Sequence, residues 1–163
     1  MTERLCRLEY VFQRLPIYFV TACTHERQRI LNNADVHQRF VEFGKGGEEH
    51  GAWLGAYVLM PEHLHAFVVI DDERLKLSVW VKSLKNAVSK VFRGKGIPSP
   101  HWQKGFFDHI LRSGDSYSAK WEYVRENPVR AGLVNEWREW PFAGEIFDLE
   151  FRADRLSRIM RRS

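Results

Sequence analysis

Two histidines one residue apart, His63 and His65, and a tyrosine four positions ahead of an asparagine, Tyr123 and Asn127, are the residues of this sequence whose types and spacing could do chemistry together. In a β-strand, residues two apart point to the same face, so both imidazoles can converge on one ion. Neutral imidazole is the side chain metals use most often. The same spacing also suits a pair of hydrogen-bonded or exposed histidines. Tyr123 raises a different question, because a phenol with an ordinary pKa near 10 is a weak nucleophile at neutral pH. It needs help from something that stabilises the phenolate or polarises its target. A divalent ion bound to a non-bridging phosphate oxygen does both, which makes covalent cleavage of a phosphodiester the chemistry these residues could perform.

These side chains must be positioned by regular elements. Trp53–Met60 and His63–Ile70 are two apolar runs separated by Pro61 and Glu62, and they predict antiparallel strands joined by a tight turn. Leu64, Ala66, Val68 and Ile70 then form one wholly apolar face for helices to cover, and the histidines begin the other. Ile17–Thr24, after Pro16, predicts an earlier strand. Asp35 is expected to cap a helix running to about His50. Leu77, Trp80, Val81, Leu84, Val88 and Val91 recur at helical spacing over Leu77–Phe92, with Lys82, Lys85, Ser89 and Lys90 off that stripe. A strand is expected over Trp102–Arg112. Ser113, Gly114 and Asp115 then supply turn and cap chemistry for a helix to about Glu126, which Pro128 ends. On that helix Tyr117, Trp121 and Val124 form the packing stripe. At 3.6 residues per turn Tyr123 lies about 120° from its middle, on the side where Asn127 projects. A surface tyrosine and a helix-ending asparagine also fit this spacing.

Strands and helices without strict alternation point to an α+β domain with a mainly antiparallel sheet. The 163 residues, 44% hydrophobic, suffice for one core, expected over residues 1–150. The tail, 151–163, holds Arg152, Arg155, Arg158, Arg161 and Arg162 against Asp154 alone. That sums to +4, the whole of the chain's formal net charge of +4. Such a tail suits a polyanion or stands as a solvated basic segment. As a helix it would line up Arg152, Arg155, Arg158 and Arg161 along one side. Two cysteines, Cys6 and Cys23, are too few for a disulfide framework and form no Cys-x-x-Cys pair, so a reducing cytoplasm is the expected setting. Neither a signal peptide nor a membrane span is expected.

Met60-Pro61-Glu62-His63-Leu64-His65 followed by an apolar strand, taken with Tyr123-Val124-Arg125-Glu126-Asn127-Pro128-Val129-Arg130-Ala131-Gly132-Leu133-Val134, resembles the single-tyrosine HUH transposases. More narrowly, it is similar to their REP-associated tyrosine branch. Tyr18–Thr21, Trp102–His109 and Trp140-Pro141-Phe142 extend the likeness over about Arg14 to Ala143. The resemblance implies a ferredoxin-like, RRM-related antiparallel sheet packed with helices. It assigns His63 and His65 to the metal, Tyr123 to the nucleophile and Asn127 to a third ligand. Glu62 stands where many insertion-sequence members have asparagine, and is read as a turn residue. Magnesium or manganese is the implied ion. The implied substrate is single-stranded DNA folded into hairpins, cut to a 5′-phosphotyrosine and a free 3′-hydroxyl, in a bacterial, nucleoid-associated setting. Lys82, Lys85, Arg93, Lys104, Arg125 and Arg130, with Arg152, Arg155 and Arg158 of the tail, are the candidate DNA contacts. Monomer and homodimer both remain open. A non-catalytic nucleic-acid-binding module and a metal-dependent hydrolase using activated water are the competing readings.

Overall fold

In the computed structural model, which describes residues 15–111 and 117–149, the strands are β1 (Ile17–Cys23), β2 (Ala52–Leu59), β3 (His63–Ile70), β4 (Phe107–Leu111) and β5 (Ala143–Glu145). The helices are α1 (Ala34–Gly46), α2 (Leu77–Gly94), α3 (Tyr117–Val124) and α4 (Asn127–Arg130). One sheet runs in the order β4-β1-β3-β2-β5, and every neighbouring pair is antiparallel. Up to β4 the elements follow the β-α-β-β-α-β succession of ferredoxin-like folds. The α+β, ferredoxin-like expectation is borne out, with β5 added at the β2 edge.

The pleat of β3 divides the core in two. Leu64, Ala66, Val68 and Ile70 join Val20 and Ala22 of β1 under α1 and α2, against Val36, Phe40, Trp80, Val81, Leu84, Val88 and Phe92. Phe67 and Val69, with Ile17 and Phe19, turn the other way and pack against Tyr117, Trp121 and Val124 of α3. Fully burying a side chain such as Phe67 or Leu64 is worth about 1.5–3 kcal/mol, so the alternation of β3 decides which face each helix covers.

Helix α3 reaches the sheet through a small gap. A Cβ added at Gly55 would stand 2.4 Å from Leu149 Cδ1 and 2.9 Å from the Tyr117 hydroxyl. The bare backbone there lets that hydroxyl accept a hydrogen bond from Ala56 N–H at 2.9 Å. The bond falls where the β2–β3 register shifts between Leu54 and Tyr57, so Tyr117 partners a backbone group at the irregularity.

Several boundaries differ from expectation. Asn33, not Asp35, caps α1, accepting from Val36 N–H at 3.0 Å. Asp35 already lies in the first helical turn, where its carboxylate meets Lys95 Nζ at 2.6 Å. The α-helix stops at Gly46, and Gly47–His50 tightens into a 3-10 turn before Gly51, whose φ of +86° suits glycine. Strand β4 is shorter than the expected Trp102–Arg112. Trp102 makes only an isolated bridge to Thr24, and its indole N–H donates towards Lys85 O at 3.2 Å and Ser89 Oγ at 3.1 Å of α2. Arg112 and the Ser113–Asp115 turn lie outside the described residues. Pro128 does more than end a helix: α3 stops at Val124, and a new helical turn starts at Asn127 with Pro128 near its head, where a missing N–H costs nothing.

Candidate active site

The hairpin turn that begins β3 is held from two sides. Met60 N–H bonds His63 O at 2.8 Å to close the two-residue loop, and Thr24 N–H and Leu31 N–H bond the carbonyls of Glu62 and Pro61 at 2.9 and 3.0 Å. His63 and His65 therefore leave the turn on a fixed backbone. Their ring centroids are 4.8 Å apart. Both fall on the face covered by α3, as the two-residue spacing requires.

Each ring has one nitrogen committed. His63 Nδ1 bonds the Glu62 carboxylate at 3.0 Å, and Arg27 lies 3.6 Å from the same oxygen. His65 Nδ1 bonds Thr21 Oγ1 at 2.8 Å across the β1–β3 register, where Thr21 and His65 are direct partners. The Phe19 ring stacks on His65 at 5.2 Å and 20°. Fixing both Nδ1 atoms orients the two rings and leaves each Nε2 as the site available to a ligand, the arrangement metal-binding histidines use. Glu62 is thus more than a turn residue. Burial depresses the pKa of His63 despite the opposing carboxylate. Burial, then the charges of His63, Lys120 and Arg130, bring His65 down to about 3. Neutral imidazoles are the form that binds metal.

Tyr123 is 63% exposed on α3, while Tyr117 and Val124 are buried, so the angular argument for its position holds. The Arg130 guanidinium lies 4.1 Å from the centre of its ring. Arg130 also donates to Tyr123 O at 2.8 Å and to Asn127 Oδ1, which ties α4 back to α3. Asn127 does lie beside Tyr123, but its amide oxygen is engaged by arginine. Helix α3 packs through Tyr117, Trp121 and Val124 on the sheet face that carries the histidines, and the charges of Lys120 and Arg130 add to the lowering of the His65 pKa. Lys120 Nζ stands 5.0 Å over the Phe19 ring that stacks on His65.

The remaining candidates differ in what already holds them. Lys82, Arg93 and Lys104 are exposed, as is Arg130, whose guanidinium is taken up by Tyr123 and Asn127. Lys85 is half-buried and donates to Gln103 O at 3.1 Å and to Gly105 O, holding the chain that leads into β4. Arg125 stacks on Trp137 at 4.1 Å. Arg152, Arg155 and Arg158 lie outside the described residues. Sequence reasoning missed Thr21 and Lys120. A cross-strand partner has no local signal, whereas Lys120, three residues before Tyr123 on one helix, could have been found from helical spacing.

The model of the family described as "Transposase IS200 like" matches residues 13–127, and so takes in both the histidine pair and the tyrosine helix. The chain belongs to this family. Among curated relatives of this family member, a REP-associated tyrosine transposase of Escherichia coli (strain K12) is 28% identical over 55% of this chain. That alignment spans about half the length of the relative, 52%. A Haemophilus influenzae protein provisionally given the same description is 20% identical over 81% of each chain. Among solved structures, a REP-associated tyrosine transposase bound to a REP hairpin superposes with a TM-score of 0.64 at 23% identity, over 78% of this chain and 75% of that one. A Deinococcus radiodurans protein provisionally described as a transposase gives 0.50 at 18% identity, over 69% and 90%. The resemblance read from the Met60–His65 and Tyr123–Val134 motifs is borne out, and the fold is that of these neighbours.

The side chains present fit a divalent ion. Two imidazoles with Nδ1 committed and Nε2 free make a half-site that transition ions such as manganese accept more readily than magnesium, which prefers oxygen. Among the described residues there is no group of three or more His, Cys, Asp or Glu able to hold an ion. Further ligands would have to come from an amide, from water or from substrate.

Proposed function

We propose that this protein is a metal-dependent single-stranded DNA endonuclease and strand transferase, acting through Tyr123 on hairpin DNA of the repetitive extragenic palindrome kind. The observation that carries the reading is the histidine pair: two neutral imidazoles whose Nδ1 atoms are held by Glu62 and Thr21, on the sheet face covered by the helix that carries the exposed Tyr123. A magnesium or manganese ion on His63 and His65, with Asn127 as the candidate third ligand, would supply positive charge to a phosphate oxygen of the scissile bond.

The chain's own residues carry the rest. The Tyr123 oxygen loses its proton and bonds the phosphorus; the bond from phosphorus to the 3′-oxygen breaks, and that oxygen takes up a proton. The products are a 5′-phosphotyrosine and a free 3′-hydroxyl, and the reverse step rejoins strands, so no nucleotide cofactor enters. Arg130 and Lys120 meet the phosphate's charge, while Thr21 and Glu62 keep the imidazoles in register. Lys82, Arg93 and Lys104 are candidate backbone contacts farther along the strand. Arg125 and Lys85 could add to them only by giving up present partners. The residues 1–150 would form the catalytic domain, and the arginines of 151–163 would grip the hairpin stem. Work on chromosomal DNA places the protein in the bacterial cytoplasm.

The test is end-labelled hairpin DNA incubated with protein and manganese, followed by denaturing electrophoresis. A covalent protein–DNA adduct that Tyr123→Phe abolishes is expected. Binding without cutting would mean a non-catalytic module, and cutting without an adduct, unaffected by Tyr123→Phe, would mean an activated-water hydrolase.

A further inference from the structure

Among the described residues, the large apolar or aromatic side chains singled out as exposed are Val79, Phe107, Ile110 and Tyr123. Tyr123 has a role in the proposed chemistry. Phe107 is the most exposed of the four, at 71%, although it lies in a strand. Its register explains where it points. Phe107 pairs with Thr21 across β4 and β1, and Thr21 pairs with His65 across β1 and β3. Paired residues of antiparallel strands point to the same face, so Phe107, Thr21 and His65 form one row on the active face. Two strand spacings, about 10 Å, separate the first from the last. Leu111 of the same strand packs with Ile17 on this face, which agrees with that direction.

Phe107 is paired to β1, and the chain leading into it is tied to β1 and α2. Gln103 N–H bonds Cys23 O at 2.9 Å, Lys85 Nζ bonds Gln103 O at 3.1 Å, and the Trp102 indole is anchored on α2. An exposed ring on a paired strand loses little freedom when a flat partner covers it. A cation stands on the same face: Lys120 Nζ lies 5.0 Å over the ring of Phe19, two residues before Thr21 on β1. An aromatic face beside positive charge is what an unpaired nucleotide takes, base on ring and phosphate on cation.

We propose that Phe107 is the stacking platform for one unpaired nucleobase of the DNA strand next to the scissile phosphate, a position that the Thr21–His65 row sets. This rests on the reading of the protein as a single-stranded DNA enzyme and adds to it a specific contact.

The experiment uses the full chain with manganese and a series of hairpin substrates, each carrying one abasic site at successive positions around the cut. Affinity and adduct rate are measured for wild type, Phe107→Ala and Phe107→Trp. One abasic position should weaken wild-type binding by roughly 5- to 150-fold, the range of a single base–aromatic stack. Phe107→Ala should lose a similar amount on intact DNA and nothing further at that position, while Phe107→Trp restores binding. Equal affinities for wild type and Phe107→Ala, or losses that add at every abasic position, overturn the proposal. So does sedimentation showing that the ring is covered by a second copy and that Phe107→Ala merely dissociates a dimer. Wild-type protein that binds but never cuts defeats the cleavage reading instead, and the abasic comparison by affinity still decides Phe107.

Discussion

Tyr117 and Tyr123 stand on the same short helix in opposite environments. Tyr117 is buried, accepts from Ala56 N–H and donates to Glu145 at 3.2 Å. Burial and the nearby acidic groups push its pKa far above the ordinary value, so it holds its proton throughout the neutral range. Tyr123 is exposed, and its ring meets a guanidinium. One end of α3 is locked to the sheet so that the other can offer a hydroxyl to solvent. A phenol is structural where its oxygen completes a buried backbone bond, and free for chemistry where nothing inside the protein needs it.

The sharpest way to break that contrast is at the exposed end. Tyr123→Phe should reduce the covalent DNA adduct to background while shifting unfolding free energy by no more than about 0.5 kcal/mol, as read from urea melts. A large loss of stability would place Tyr123 in the same structural class as Tyr117. Next in size is Thr21→Val, which removes the partner of His65 Nδ1 without touching a proposed ligand. Losses of such orienting partners cost roughly 10- to 100-fold in metal affinity or activity, so a manganese titration of the cleavage rate should move to higher concentration. Lys120→Met should slow cleavage about tenfold, in line with one charge-assisted contact, and should reduce the salt slope of binding by about one.

At the buried end, Tyr117→Phe should cost about 1–3 kcal/mol of stability by leaving Ala56 N–H unpaired, yet retain adduct formation wherever the protein is folded. Equal stability would remove the anchor from the account. A graded effect is expected from pH. His65 falls from its ordinary 6.5 to about 3 in the folded chain. Above pH 6.5 both folded and unfolded chains keep it neutral, and its contribution is fully present. As pH drops below 6.5 only the unfolded chain gains the proton, so stability declines progressively towards pH 3, by at most about 1.4 kcal/mol per unit. Urea melts between pH 7.5 and 4.5 should show this slope, and His65→Gln should flatten it.

Much of this was legible in the chain because it depends on local periodicity. The alternation from Leu64 to Ile70 set the two faces of β3, the stripe from Leu77 to Val91 set α2, and the angular offset of Tyr123 from Tyr117, Trp121 and Val124 left it outside the core. Boundaries were less legible. Asn33 displaced Asp35 as the cap because the choice turned on backbone conformation, and Trp102 left the expected strand because α2 offered its indole a better place. At the site, the histidines and the tyrosine could be named from motif and spacing. Their supports could not, since Thr21 lies 44 residues from His65.

Residue type and short-range spacing by themselves determined which groups could act, because a shared strand face and a helical angle are properties of a few consecutive residues. Only the tertiary structure decided which ring nitrogens stay free, which cations are already occupied, and that Phe107 stands in one row with His65. Each of these depends on strands and helices distant in sequence meeting in one register, and no local pattern encodes that meeting.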